Sequence, residues 1–217
     1  MTGRAARSAS LSVAGTLMLL TGTCLSARAL YLPGKAALAK TLIRRAWEET
    51  LHTGRATPPW PWADTHPIGR LIIPSIGYDE LVLEGASPRI LAFGPARLMN
   101  AAEPGAGGNL VLAGHRTSWF LPLQEVKPGS EMVLEWRDRA TGARRRRSYQ
   151  VRETVVVDPG DVHFLQPTAE DALTLVTCWP FGRGPRSPKR YVVRAVAAGG
   201  WPAAHRVHNR SARPPAA

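Results

Sequence analysis

The C-terminal two thirds of the chain alternates short runs rich in valine, leucine and isoleucine with turns that contain glycine and proline. Such residues favour extended backbone, and runs of this length are typical of strands. At least six short strands with few helices predict a closed barrel or a sandwich. SPRILAFG predicts a short helical turn and RDRATGARRRR a hairpin turn. The strand candidates are GRLII and YDELVLEG, which turn at Ser75 to Gly77, and then GGNLVLAGH, EMVLEWRD, RSYQVRETVVV, ALTLVTC and KRYVVRAVA.

The size and charge of the chain limit its possible functions without choosing among them. Its 217 residues suffice for one sizeable core, predicted over residues 68–200. The net charge of +12 favours attraction to anionic surfaces such as phospholipid, acidic cell-wall polymer or nucleic acid. No RNA- or DNA-binding signature accompanies the charge, so no nucleic-acid partner is expected. The basic tail, residues 201–217, has no apolar period and is predicted to be disordered.

The two cysteines, Cys24 and Cys178, are expected to be free thiols. A disulfide between them would tie the apolar N-terminal segment to the folded core, unlike the disulfides of small secreted domains. The sequence has no CxxC pair and no cysteine–histidine cluster with zinc spacing. We therefore expect neither a metal site nor a cofactor.

The N-terminal segment, residues 1–32, is predicted to be a signal anchor. Two arginines precede twenty uncharged residues, Ser8 to Ala27, which is just long enough to cross a bilayer as a helix. One alternative is a cleaved signal peptide, because ARA at residues 27–29 resembles a cleavage site. Another is lipidation at Cys24, whose flanking residues fit that modification poorly. Basic residues also follow the segment, so a positive-inside count does not favour an external C-terminal domain.

Residues 33–67 are predicted to form an amphipathic helix followed by a linker. Apolar residues recur at helical spacing over Leu38–Trp47, and Gly54 ends the helix. The prolines that follow favour an extended path. The linker tryptophans, Trp60 and Trp62, are expected to dock on the folded domain.

Cysteine chemistry needs a thiolate and a group that gives and takes a proton, usually an imidazole. Within the predicted domain the histidines are His115 and His163. His115 follows the strand NLVLAG and Cys178 ends the strand LTLVT, so both would emerge at one edge if these strands are parallel neighbours. Taken singly, such a histidine is more often a surface residue and such a cysteine more often a core residue.

A basic side chain opens the last strand. Acyl transfer builds negative charge on the carbonyl oxygen of the substrate, and a guanidinium can stabilise that charge. Arg190, at the start of RYVVRA, is the candidate for this role. Strand alternation puts Arg194 on the same face and makes it the reserve candidate. On sequence alone, a solvated arginine without a catalytic role is an equally good interpretation.

Taken together, these segments resemble the sortases, a family of membrane-anchored cysteine transpeptidases. TLVTC matches the TLxTC signature of the family. NLVLAGHRTSWF is similar to the strand and loop that carry the family histidine, and KRYVVRA to the strand that carries its arginine. The likeness extends over RLIIPSIG, LEGASPRILAFGP and LPLQEVKPGSEM in family order, from about Gly69 to Ala197. CWPF is similar to a sortase group found in proteobacteria.

The resemblance implies roles for four residues. Cys178 would be the nucleophile, His115 the general acid and base, and Arg190 the group that stabilises the oxyanion. Thr177 would help to orient the substrate or the oxyanion. The family fold is all-β, a closed eight-stranded barrel with short helices, here preceded by an N-terminal membrane helix.

Two positions depart from the family pattern. Family members often have aspartate where Thr117 stands, and many have a histidine in the region of Arg97. Neither position belongs to the catalytic set, so the departures bear on substrate preference more than on chemistry. His163 has no catalytic counterpart in the family and is interpreted as structural.

The resemblance also implies a reaction and a location. The enzyme would cleave an LPxTG-like C-terminal sorting motif of a secreted protein through a cysteine thioester, and transfer the acyl group to an amine of the cell wall or of a protein. It would be a single-pass protein of the cell (inner) membrane with an extracytoplasmic catalytic domain. Two alternatives stay open: a cysteine hydrolase that uses the same site, and a membrane-tethered polyanion binder that uses GARRRRSYQ and the basic tail.

Overall fold

The computed structural model describes residues 2–182, 184 and 188–198 of the chain. The tail predicted to be disordered, residues 201–217, lies outside the described residues. By its internal contacts the chain divides into two units, one that ends at Leu42 and one that begins at Ile43. All the strands and all the candidate catalytic residues belong to the second unit.

A single long helix, α1 (Thr2–Thr53), precedes the strands. It runs without a break across the boundary predicted between residues 32 and 33. It ends as predicted at Gly54, whose φ of 77° is a left-handed conformation that favours glycine and whose N–H donates to the carbonyl of Thr50 (3.0 Å). In the part of the chain that the structure describes, no helix combines the length and the apolar composition that crossing a membrane requires.

The apolar face of the helix is buried toward its C-terminal end. Ala46 and Trp47 are buried, as the predicted pattern requires, whereas Leu38 is 59% exposed. Leu38 belongs to the first unit, while the two buried residues belong to the second, which contains the barrel.

The two linker tryptophans differ. Trp60 packs edge-on against Phe93, with the ring centroids 5.1 Å apart. Trp62 is 80% exposed. A turn between them, closed by the N–H of Ala63 and the carbonyl of Trp60 (3.0 Å), reverses the chain. The prediction of docking is therefore confirmed for Trp60 and wrong for Trp62.

The seven predicted strands are all present, and the structure adds an eighth. The additional strand has only two residues, too few for an alternating pattern to be visible in the sequence. The predicted helical turn is α2 (Pro88–Leu91), and short 3-10 helices cover Pro74–Ile76, Leu121–Glu125 and His163–Leu165. The strands are β1 (Pro67–Ile73), β2 (Tyr78–Glu84), β3 (Ala96–Arg97), β4 (Asn109–Ala113), β5 (Glu131–Arg137), β6 (Arg144–Val157), β7 (Ala172–Cys178) and β8 (Arg190–Ala197).

The strands close into a barrel in the order β1-β2-β3-β4-β7-β8-β6-β5, with β5 paired back to β1. The pairs β2–β3 and β4–β7 are parallel, and the other neighbours are antiparallel. The closed barrel is one of the two architectures predicted from the strand pattern and the one implied by the family resemblance. β4 and β7 are parallel neighbours, which is the condition for bringing their C-terminal ends to one edge.

Side-chain alternation fills the barrel interior. Leu110 and Leu112 of β4, Leu173 and Leu175 of β7, and Val193 of β8 belong to one buried cluster. Full burial of one such side chain stabilises the fold by about 1.5–3 kcal/mol. A slip of one residue would turn each strand's apolar set outward, so this cluster fixes the register of the three strands that carry the candidate residues.

Candidate active site

The C-terminal end of β4 places His115 beside the last residues of β7. Ala113 is opposite Val176 in the parallel register, and the N–H of Gly114 donates to the carbonyl of Val176 (3.2 Å). His115 comes next, and it is exposed. The chain then turns at once, since the N–H of Phe120 donates to the carbonyl of His115 (3.0 Å).

Gly114 is required by the packing at this turn. A Cβ at that position would lie 2.7 Å from the ring of Phe120, which is fully buried. Any larger residue would have to displace that ring. The close approach therefore allows the chain to leave the barrel directly after β4, with His115 at the rim.

The antiparallel register of β7 and β8 places Cys178 opposite Arg190. The Cys178 thiol is free and partly buried. The pairing continues one residue further, because the N–H of Trp179 donates to the carbonyl of Lys189 (3.0 Å). β7, which carries the cysteine, therefore lies between the strand that leads to His115 and the strand that begins with Arg190.

Cys178 and Arg190 share the outer face of the barrel wall. Successive residues of a strand point to opposite faces of the sheet. Each of the two lies three positions along its strand from a side chain of the interior cluster, Leu175 for Cys178 and Val193 for Arg190, so both have the outward parity. His115 lies beyond the end of β4 and is exposed at the same end of the barrel.

Thr177 has the opposite parity and is buried. Its hydroxyl donates to the carbonyl of Gly114 (2.7 Å). This bond joins β7 to the end of β4 at the residues that directly precede Cys178 and His115. The structure thus assigns the hydroxyl a contact within the protein, and its role toward substrate or oxyanion stays a prediction.

Of the two candidate arginines, Arg190 is the nearer to Cys178. Its guanidinium Nη1 donates to the carbonyls of Pro188 (2.6 Å) and Lys189 (3.2 Å) in the preceding loop. Arg194 is opposite Thr174 in the register, four residues along β7 from Cys178. Four strand residues span about 13 Å, so Arg194 would need a long reach to the thiol.

Arg116, which the sequence analysis did not single out, connects the two loops of the site. It directly follows His115, and its guanidinium Nη1 donates to the carbonyl of Pro180 (2.5 Å). Its Nη2 donates to the carbonyl of Gly184 (2.9 Å). Both carbonyls belong to the loop between β7 and β8. No pattern in the sequence could reveal this contact, because it depends on how two distant loops meet.

Three aromatic rings follow Cys178 or face the loop after it. Trp179 stacks on Tyr191, with ring centroids 5.8 Å apart and planes 21° apart. Phe181 packs edge-on against both rings, at 5.5 and 4.9 Å. The peptide bond between Trp179 and Pro180 is cis. The segment CWPF therefore builds an apolar cluster directly after the thiol.

His163 lies elsewhere on the barrel. Its Nδ1 pairs with a carboxylate oxygen of Asp161, and its ring packs against Phe164. The side chain of Asn109, the first residue of β4, donates to the carbonyl of Phe164 (2.8 Å). His163 is thus near the start of β4, whereas His115 follows the end of that strand.

The two positions that depart from the family pattern have different environments. Arg97 is buried, and its Nε donates to a carboxylate oxygen of Glu84 (3.0 Å) while Nη1 donates to the carbonyl of Ala101 (2.6 Å). The bond to Glu84 joins β3 to β2, and the bond to Ala101 holds the chain that follows β3. Thr117 is exposed in the turn after His115.

The basic run on β6 is partly neutralised. Arg144 donates to Glu135 (2.7 Å), and Arg147 is ion-paired with Asp171. Such pairing reduces the charge that this run can offer to a polyanion.

A free thiol, an imidazole and a guanidinium at one end of a barrel have the composition of an acyl-transfer site. Within the described ranges, no group of three or more histidine, cysteine, aspartate or glutamate side chains is arranged to hold a metal ion.

Comparisons with known proteins give one family. The family model for the sortase domain matches residues 71–198. Sortase D of Bacillus subtilis is 29% identical over 128 residues, which are 58% of this chain and 61% of that protein. Sortase A of Listeria monocytogenes is 30% identical over 115 residues, 51% of this chain and 49% of that protein. The chain thus spans about half to three fifths of the length of these curated relatives.

A solved structure supports the fold. A Clostridium perfringens sortase D5 transpeptidase superposes with a TM-score of 0.59, covering 75% of this chain and 99% of that chain. The sequences are 22% identical, so this likeness concerns the architecture of the barrel.

Proposed function

Because the chain belongs to the sortase family, we propose that it is a cysteine transpeptidase in which Cys178, His115 and Arg190 perform the reaction. One observation carries the proposal. The parallel pairing of β4 with β7 and the antiparallel pairing of β7 with β8 bring these three residues to one end of the barrel. Each of the three residues, taken alone, could be a surface or core residue without a catalytic role. Such roles do not explain why all three lie together.

The reaction begins with attack by the Sγ of Cys178, as thiolate, on the carbonyl carbon of a threonine-like residue. The carbonyl oxygen takes the negative charge, which Arg190 stabilises. The C–N bond then breaks, His115 gives its proton to the departing amine, and a thioester remains. An incoming amine loses a proton to His115 as it attacks the thioester carbon. The C–S bond breaks, which releases the thiolate and a product with a new amide bond.

The substrate is a secreted protein with an LPxTG-like C-terminal sorting motif, and the acceptor is an amine of the cell wall or of another protein. The named relatives support this class of substrate only through the family. The exposed side chain of His115 and the partial burial of Cys178 support it from the structure, because a protein substrate must reach both from outside the barrel.

The protein is anchored in the cell (inner) membrane by its N-terminal segment, with the catalytic domain on the extracytoplasmic side. The support for this location is the run of twenty uncharged residues, Ser8 to Ala27, after two arginines. Fractionation of cells that express the full chain tests it. Release of the protein by salt alone would contradict an anchor, and retention until detergent is added is the expected result.

Product analysis tests the reaction. The full chain is incubated with a library of peptides that carry LPxTG-like motifs, with and without an added amine, and the products are identified by mass spectrometry. The expected result is an amide of the added amine, formed at the expense of any free acid. If free acid is the only product at every amine concentration, the site catalyses hydrolysis and the proposal of transfer is wrong.

A further inference from the structure

A cleft of about 550 Å³ lies at the end of the barrel away from Cys178. This volume is within the range of sites that bind small molecules, about 300–1,000 Å³. The β6 residues that line the cleft, 145–147, are at the start of that strand, whereas Val157, at its end, is opposite Arg190. The cleft is therefore separate from the candidate active site.

The acidic side chains of the cleft are already engaged. Five arginines and three carboxylates contribute to the lining. Glu84 accepts hydrogen bonds from Arg97, and Glu103 accepts one from Arg139 (3.2 Å). Asp138 accepts from the backbone N–H groups of the turn that follows it, at 2.9 Å each. Glu84 and Glu103 are thus paired, Asp138 keeps a free oxygen toward Arg145, and the five arginines of the lining still exceed its three carboxylates.

Three guanidinium groups of the cleft have no close carboxylate partner. The side chain of Arg146 has neither a hydrogen bond nor a carboxylate within ion-pair distance in the described part of the chain. Arg145 approaches Asp138 only at 3.9 Å, the outer limit of an ion pair, and its side chain is 50% exposed. The Nε of Arg137 donates to the carbonyl of Leu51 (3.2 Å), which orients the group without neutralising it.

Two tryptophans also line the cleft. They are Trp47, from the last turns of α1, and Trp136, at the end of β5. Aromatic side chains of this kind pack well against the carbon skeleton of a small ligand. The cleft therefore combines guanidinium groups with aromatic rings, which is a usual composition of a site for an organic ion.

We propose that this cleft binds a small organic molecule that carries a phosphate group. A phosphate monoester brings close to two negative charges and three acceptor oxygens, which match several guanidinium forks better than a single carboxylate does. Its carbon skeleton packs against the indole rings of Trp47 and Trp136. The net charge of +12 raises the local concentration of any anion. The proposal does not rest on the proposed function, since no step of that reaction uses the cleft.

A matched pair of variants tests the site. Arg146→Gln and Arg152→Gln each remove one positive charge from an exposed position on β6, but only Arg146 lines the cleft. Binding of glycerol 3-phosphate to the full chain is measured by calorimetry at physiological salt. We expect binding to the unchanged chain, about tenfold weaker binding to Arg146→Gln, and an effect of no more than about twofold in Arg152→Gln.

Two results would overturn the proposal. One is the absence of binding to the unchanged chain at millimolar ligand. The other is an equal loss in both variants, which would indicate diffuse attraction to the net charge. Binding must also be unchanged in Cys178→Ala, so failure of the catalytic assignment and failure of the cleft assignment are distinguished.

Competition distinguishes two sources of the phosphate. Vesicles of phosphatidylcholine with and without phosphatidylglycerol are added to the complex with glycerol 3-phosphate. If only the vesicles with phosphatidylglycerol displace the ester, and vesicle binding is lost in Arg146→Gln, the result supports the site and assigns it to a lipid headgroup. Retention of the bound ester supports the site and assigns it to a soluble phosphate.

Discussion

The two ends of the barrel use their arginines in different ways. At the end away from Cys178, Arg144 pairs with Glu135 and Arg147 with Asp171, beside the three loosely paired arginines of the cleft. At the Cys178 end, Arg190 bonds to backbone carbonyls of its own loop. Among the described residues, neither Arg190 nor Arg194 has a carboxylate within ion-pair distance.

This difference separates stability from chemistry. In an ion pair, a carboxylate of the protein neutralises the charge of the arginine. Breaking a buried pair lowers the free energy of unfolding. A guanidinium held only by carbonyls is oriented and keeps its charge for a developing oxyanion. Substitutions at the Cys178 end should therefore affect turnover with little effect on stability, and substitutions that break the ion pairs at the other end should do the reverse.

His115→Asn is the largest expected effect at the Cys178 end. Loss of a general acid and base lowers the rate by roughly two to four orders of magnitude. The melting temperature should stay unchanged because His115 is exposed. The measurement is peptide turnover together with thermal unfolding. His163→Asn is the control, and equal losses in the two variants would contradict the assignment of His115.

Asp171→Ala is the corresponding change at the other end. It leaves Arg147 without its carboxylate and removes the acceptor of the Tyr149 hydroxyl (3.2 Å). Breaking a buried pair costs about 3–5 kcal/mol of unfolding free energy, whereas turnover of the folded fraction should not change. Denaturant unfolding measures the loss. Asp161→Ala breaks an exposed pair and should cost less than about 1 kcal/mol.

Arg190→Ala tests the oxyanion role. Loss of one oxyanion donor lowers turnover by roughly two to three orders of magnitude. Arg194→Ala should stay within a few fold of the unchanged chain, because it lies four residues further along β8. Near-normal turnover in Arg190→Ala with a large loss in Arg194→Ala would transfer the role to Arg194.

Arg116→Met tests whether the link between the two loops positions His115. The change removes two charged hydrogen bonds to the loop after Cys178, and we expect about a tenfold loss of turnover. A second variant, Arg116→Ala, should show a similar loss, and guanidinium ion added in solution should restore part of its activity, whereas a purely structural defect would not respond. The control is Arg152→Met, which should be without effect.

Asp138→Asn is the smallest expected effect and concerns the turn between β5 and β6. Hydrogen bonds from the N–H of Thr141, and then from its side chain and the N–H of Ala140, lower the pKa of Asp138. A lowered pKa stabilises the folded state above the carboxyl's ordinary range, and this contribution is lost as pH falls through the folded value. The unchanged chain should therefore be the more stable one at neutral pH, with no difference in acid.

The sequence was sufficient to predict the seven longer strands, but not their arrangement in the barrel. Each long strand carries an apolar run, and the order of His115, Cys178 and Arg190 matches a family motif. β3 could not be predicted, since two residues carry no period. The parallel pairing of β4 with β7 entered the sequence analysis only as a condition for bringing His115 and Cys178 to one edge. It could not be predicted, because the register of the strands depends on how the whole barrel closes.

The contacts around the candidate site were the least predictable part. Arg116 reaches two carbonyls of a loop more than sixty residues away, and the hydroxyl of Thr177 bonds to Gly114 across two strands. Such contacts depend on the meeting of segments that are distant in sequence. Trp62 shows that apolar character alone does not predict burial. Its large side chain is exposed in a tight turn.

The most direct test of the central claim is to map the covalent intermediate. The full chain is mixed with a peptide that carries an LPxTG-like motif, and the reaction is quenched in acid. The protein is then digested, and the acylated residue is identified by mass spectrometry. The acyl group should be found on Cys178, and it should be absent from Cys178→Ala and rare in Arg190→Ala. An acyl group on Cys24, or an adduct that persists in Cys178→Ala, would contradict the assignment of the nucleophile.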